Sequence, residues 1–198
     1  MVDGVIYMSS SLEEETLDII NELDLKTVLV ETKDKEGRLP SVYIDNIEAT
    51  YEATKHLLDK GIKNIAFIGV DKSSANAWGD RYIGYEKALN EAGIPVDEDL
   101  VYFEGLKVKS GYVASEKFLA SGKNFDGIIC ASDEIAMGAI NGLREKGVNT
   151  PEDVSVIGFN DNVVASYFYP KLTTVKQPSY DMGSVAMRTV SYTHLTLP

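Results

Sequence analysis

Short apolar segments recur along this chain, and most are followed by a stretch of helical spacing that stops at a glycine. Residues 65–70, 101–104, 127–131 and 154–159 are such segments, too short for helices and bounded by polar residues or glycine. Between them the spacing predicts helices over 81–92, stopped by Gly93 and Pro95, over 110–120, and over 134–145, stopped by Gly147. Strands that are apolar throughout must be buried on both faces, and a parallel sheet covered by helices on both sides supplies that burial. The expected fold class is therefore α/β, with doubly wound parallel sheets.

The same beat is present upstream. Residues 5–8 read as a strand, and Ser11 with Glu14 as a capping box for a helix carrying Leu17, Ile20 and Leu23. Residues 27–30 and 41–44 read as strands, with a charged loop at 33–38. Positions 47, 50, 51, 54, 57 and 58 follow helical spacing up to Gly61. After Asn160 the rhythm breaks: an aromatic stretch, 167–170, leads into β-like residues 172–177 and helix-like residues 180–187. A crossing from one lobe to another is expected there.

The chain's 198 residues allow one domain or two lobes, because domains usually hold about 50–250 residues. A formal net charge of −12 argues against nucleic-acid contact by these residues, since phosphate binding needs clustered Lys and Arg. No apolar run is long enough to span a bilayer. The start lacks the basic and apolar regions of a signal peptide, which gives a cytoplasmic expectation. Cys130, the single cysteine, sits in an apolar run and is expected to be a buried, inert thiol. The strand at 5–8 calls for neighbours on both sides, so the first lobe is expected to be incomplete. Residues 190–198 break the helical pattern and, read back into codons, resemble a sequencing adaptor; they are expected to be a non-native tail.

Polar side chains gather where strands end: Ser9 and Ser10, Asp45, Asp71, Ser132 and Asp133, Asn160 and Asp161. Ligands of open parallel sheets bind at the carboxyl ends of strands, so a polar small molecule is expected there. Asp45 and Asp133 also precede helices, where a carboxylate caps backbone N–H groups and meets the positive end of the helix dipole; both readings stand. Trp78, in a Gly-flanked loop at 76–80, is the aromatic candidate for stacking on a ligand, whereas Tyr82 and Phe159 read as core. Catalytic patterns are poor: His56 lies on the same helix face as Lys60, and the polar loop Lys72, Ser73, Ser74 has no activating neighbour. No catalytic residue, cofactor or metal site is expected, and the chain does not read as an enzyme.

Several stretches resemble the LacI family of transcription regulators. They are GIKNIAFIG at 61–69; Arg81, Tyr82, Gly84, Tyr85, Ala88 and Leu89; SDEIAMG at 132–138; PEDVSVIGF at 151–159; and LTTV at 172–175. Five motifs in order, collinear over about residues 2–189, are strong together although each is weak alone. The segment 175–188 and the opening 2–10 are most similar to the catabolite-control branch of that family. The resemblance implies a periplasmic-binding-protein-like (type I) fold of two lobes. Residues 2–45 with 174–189 would form the partial N-terminal lobe, and 46–170 the C-terminal lobe.

By the same resemblance, a sugar or sugar-phosphate effector would meet Ser9, Ser10, Asp45, Arg81, Ser132, Asp133, Asn160, Asp161 and Gln177. The corepressor of the catabolite-control branch, the phosphocarrier HPr phosphorylated on serine, would meet Tyr180, Asp181 and Arg188. Spacing alone puts Asp181 and Arg188 on one helix face, which a plain solvated helix would also satisfy. A homodimer is implied, with DNA contacted only through a helix-turn-helix head that these residues do not include, and with no membrane partner. The alternative is a sugar-binding receptor of a transport system with the same fold.

Overall fold

The structure, a computed structural model, describes residues 3–72 and 76–195, with side chains to residue 192. Val2, Ser73, Ser74, the side chain of His194 and the last three residues of the expected tail lie outside it. The described residues divide into two compact units. One holds the chain up to Asp45, residues 76–77 and the chain from Pro178 onward; the other holds the segments 46–72 and 78–177.

The first unit contains β1 (Val5–Met8), α1 (Glu14–Glu22), β2 (Thr27–Val30), β3 (Ser41–Val42) and α7 (Ser179–Leu195). Its three strands are parallel in the order β1-β2-β3, with Val5 opposite Thr27 and Leu29 opposite Ser41. Every residue of the central strand β2 is buried, as its unbroken apolar run requires. Met182 and Ala186 of α7, one turn apart, close over Val28 and Val30, and Val190 joins them a turn later.

Four expectations are corrected here. Ser11 is not the cap of α1: Glu13 holds that position without a side-chain cap bond, and the Ser11 hydroxyl donates to the Glu13 carboxylate at 3.1 Å. Leu23 is the C-cap residue and 64% exposed, outside the helix's buried face. The third strand stops at Val42. Finally, α7 does not break after Met187 but runs to Leu195, because no Gly or Pro interrupts residues 184–197.

The second unit contains α2 (Asn46–Asp59), β4 (Ile65–Gly69), α3 (Ala77–Glu91), β5 (Val101–Phe103), α4 (Val108–Ala120), β6 (Gly127–Cys130), α5 (Asp133–Glu145), β7 (Ser155–Asn160), α6 (Val163–Tyr167) and β8 (Thr173–Lys176). All five strands are parallel in the order β5-β4-β6-β7-β8. Residues 174–177, expected with the first lobe, belong here, since Thr173–Lys176 pair with Ile157–Asn160 of β7. The short helix α6 lies inside the segment read as irregular. Gly61, Gly93, Gly122 and Gly147 follow helices with φ between 70° and 84°, the left-handed conformation that ends a helix at little cost in glycine.

The core is built from β4, β6 and β7, whose Phe67, Ile68, Ile128, Ile129 and Ile157 are at most 4% exposed. Tyr82 and Tyr85 of α3 cluster with Phe67 and Phe103 at centroid distances of 5.1–6.0 Å. Tyr85 satisfies its buried hydroxyl by donating to the Ile65 carbonyl at 2.7 Å. Cys130 is 1% exposed, and burial pushes its thiol well above the ordinary range, which keeps it protonated and inert.

Helices α4 and α5 approach until backbone meets backbone. A Cβ at Gly111 would strike the Ile135 carbonyl oxygen, and one at Gly138 the Val108 carbonyl oxygen. Gly183 of α7 instead has open space around its missing Cβ. Gly138→Ala is therefore expected to cost at least ~1–3 kcal/mol in urea unfolding, the usual range for overpacking against an immovable backbone. Gly183→Ala is expected to gain roughly 0.4–1 kcal/mol by limiting the unfolded chain.

Candidate functional site

In the second sheet the strand order reverses between β4 and β6, and the crevice outside the carboxyl ends at such a point is where α/β sheets place ligands. The residues that follow these strands form one connected polar edge. Arg81, in the second turn of α3, is only 4% exposed. Its guanidinium carbon lies 3.6 Å from the Phe159 ring centroid and 4.7 Å from that of Trp78, so the planar cation is stacked on two aromatic faces. Its Nε donates to Asn46 Oδ1 at 2.9 Å, and Nη1 donates to the Ala131 carbonyl at the end of β6.

Trp78 lies within α3 rather than in a loop. A lone glycine at 79 costs a helix about 1 kcal/mol and does not prevent it. The placement three residues before Arg81 puts the indole over the guanidinium.

Of the two neighbours Ser132 and Asp133, the serine is the helix cap. Ser132 is the N-cap of α5, its hydroxyl accepting from Ile135 N at 3.3 Å. Asp133, the first helical residue, turns its carboxylate into the protein: Oδ1 accepts from the Thr174 hydroxyl, and Oδ2 from Asn162 N at 2.7 Å. Both residues have 0% exposure. Burial pushes the Asp133 carboxyl above the usual range, outweighing the opposing pull of the Thr174 and Asn162 donors.

Asn160 and Asp161 carry φ of 109° and 57°, a region non-glycine residues enter at a cost of order 1–3 kcal/mol. The turn is held by Asp161 N donating to the Thr174 hydroxyl at 3.3 Å and Gln177 N donating to the Asn160 carbonyl at 3.3 Å. Strain held in place at a strand end is a mark of a functional position. Thus Trp78, Arg81, Ser132, Asp133, Asn160, Asp161 and Gln177 share one edge. Asp71, just beyond β4, is exposed.

Asn46, Asn162 and Thr174 are site residues the sequence reading missed. Each is bound through a partner at least 29 positions away. No local pattern marks these contacts.

Ser9, Ser10 and Asp45 belong to the first unit. Ser9 N donates to the Val30 carbonyl at 3.3 Å, its hydroxyl accepts from Ser11 N at 3.4 Å, and Asp45 is exposed. On α7 of that unit, burying Met182 and Ala186 leaves Tyr180, Asp181 and Arg188 exposed, Tyr180 at 86%. Tyr180, Gly183, Ser184, Met187 and Arg188 line a shallow open depression. Among the described residues, no cluster of His, Cys, Asp and Glu is arranged to hold a metal, and no helix is long and apolar enough to cross a membrane.

The family model described as a periplasmic binding protein-like domain matches residues 54–192. The HTH-type transcriptional regulator RegA of Clostridium saccharobutylicum is 66% identical over 188 residues, 95% of this chain and 57% of that protein. The transcription regulator CcpA of Lactococcus lactis superposes with a TM-score of 0.88 at 37% identity, over 100% of this chain and 72% of that one. A sugar-binding transcriptional regulator of the LacI family from Escherichia coli, complexed with phosphate, gives 0.86 at 30% identity, over 96% and 68%. The chain thus spans a little over half the length of the curated relatives it matches.

The raised Asp133 pKa has a consequence for stability. A carboxyl whose folded pKa lies above its unfolded value carries no ionisation cost below the unfolded pKa and the full cost above the folded one. Asp133→Asn removes that cost. Thermal melts are expected to show the variant's stability relative to wild type improving as pH rises through the carboxyl range and above. A difference independent of pH would refute the assignment.

Proposed function

This chain belongs to the LacI family of transcription regulators, and on that premise we propose that it is the effector- and corepressor-binding core of a regulator of carbon metabolism. The observation that carries the effector half is Arg81, a cation withdrawn from water and stacked between Trp78 and Phe159 at the strand ends. A preoriented guanidinium with strained Asn160 and Asp161 beside it suits a polyhydroxylated ligand, a sugar or sugar phosphate. Ser132, Asp133 and Gln177 shape that edge. Residues up to 45 with the chain from 178 make the N-terminal lobe, and 46–177 the C-terminal lobe.

The corepressor half rests on α7. Its outer face offers Arg188, Asp181 and Tyr180 beside Met187 and small Gly183 and Ser184, a combination suited to a protein bearing a phosphate. The proposed partner is HPr phosphorylated on serine, with Arg188 forking the phosphate. The whole protein would be a cytoplasmic homodimer that meets DNA through a helix-turn-helix head, since an acidic core of net charge −12 repels phosphate backbones. Ligand and corepressor would act through a coupling free energy between their two sites. The transport-receptor alternative is not favoured, because the relatives described above are transcription regulators.

Calorimetric titration with serine-phosphorylated HPr tests the reading. Arg188→Ala is expected to weaken binding about tenfold or more, the worth of one charge-assisted phosphate contact. Equal affinity with and without Arg188, or with and without the phosphate, would remove the corepressor from the proposal.

A further inference from the structure

The opposite edge of the second sheet carries a separate cavity. It is bounded by Ser155 and Thr173, the first residues of β7 and β8, by the end of α2, and by the loops before those two strands. Its volume is about 190 Å³. The polar edge built around Arg81 lies at the other ends of the same strands, so the two sites share no lining residue.

Two features of the lining act together. Leu57, Ile140, Ile157 and Leu172 supply an apolar wall. Lys60 and Lys171 supply the charge beside His56, and no Asp or Glu lines the cavity in a chain with 31 acidic and 19 basic residues. Neither lysine has an ion-pair partner among the described residues. On so acidic a protein, two unpaired lysines beside one cavity concentrate positive potential where an anion can use it. Thr150 lines the same space, and its buried Oγ1 has no hydrogen-bond partner among the described residues. A buried hydroxyl without a partner is uncommon, and a ligand oxygen would satisfy it.

The geometry points to a second ligand site here, for a small organic anion with a compact hydrocarbon body and a carboxylate or phosphate head. The size sets the body: apolar cavities of about 150 Å³ hold benzene. The head faces Lys60 and Lys171, and the body lies on Leu57 and Ile157. Inorganic phosphate would satisfy the charges but leave the apolar wall uncovered, and a neutral molecule of the same shape would forgo the charges.

Benzoate, benzyl alcohol and inorganic phosphate separate these contributions when titrated into the chain and followed by calorimetry and amide NMR. Benzoate is expected to bind saturably, with shifts centred on Lys60, Thr150 and Lys171. Benzyl alcohol and phosphate are each expected to bind about tenfold or more weakly, and the Lys60→Met, Lys171→Met double variant to lose benzoate by a similar factor. The exposed Lys63→Met control is expected to bind as wild type. Parity of benzyl alcohol or phosphate with benzoate, retention of affinity in the double variant, or absence of saturable binding would each overturn the site. Shifts centred on Arg81 and Asn160 would overturn it too while leaving the effector proposal standing.

Discussion

Burying a parallel strand on both faces leaves its sequence no place for polar side chains except its ends, and β2, β4, β6 and β7 are buried in this way. Everything chemically interesting in the second unit follows from that confinement. The strands stop at Gly69, Cys130 and Asn160, and the polar residues that come next crowd one rim of the sheet. Arg81 reaches the rim from α3 and is held by the Ala131 carbonyl just beyond β6, the Phe159 ring of β7 and the Asn46 amide of α2. The rim is thus held in one arrangement, with its cation desolvated and its turn strained.

Much of this was legible because the relevant signals are local. Continuous apolar runs gave the strands, glycines gave the helix ends, and the polar residues after each strand gave Ser132, Asp133, Asn160 and Asp161 as rim positions. What escaped was chemistry between distant parts of the chain. Nothing near residue 174 says that Thr174 will donate to Asp133, 41 positions earlier, and nothing near residue 46 says that Asn46 will meet Arg81. Local rules also leave competing neighbours undecided: Ser132 and Asp133 can both cap a helix, and only the packing of Asp133 against Gly158 and Thr174 decides between them. Gly79 after Trp78 suggests a loop, yet one glycine is too small a penalty to stop a helix that buries Tyr82, Tyr85 and Leu89.

The first unit shows a different division of labour. Its helix α7 spends one stripe, Met182, Ala186 and Val190, on the sheet and leaves the opposite stripe to solvent. The exposed Tyr180 and Met187 are large and apolar, and they stand beside the charge of Arg188. Solvation alone does not call for such residues, and the proposed partner surface rests on them rather than on the helix's charge count.

The glycine contacts between α4 and α5 bear on how such a lobe can respond to anything that binds it. Side chains that interdigitate can exchange rotamers and let two helices slip; carbonyl oxygens seated on glycine Cα atoms have no such slack. The pair therefore behaves as a single splint along one side of the lobe. Were an effector to bind at the rim as proposed, its effect could not be absorbed as creep between these two helices.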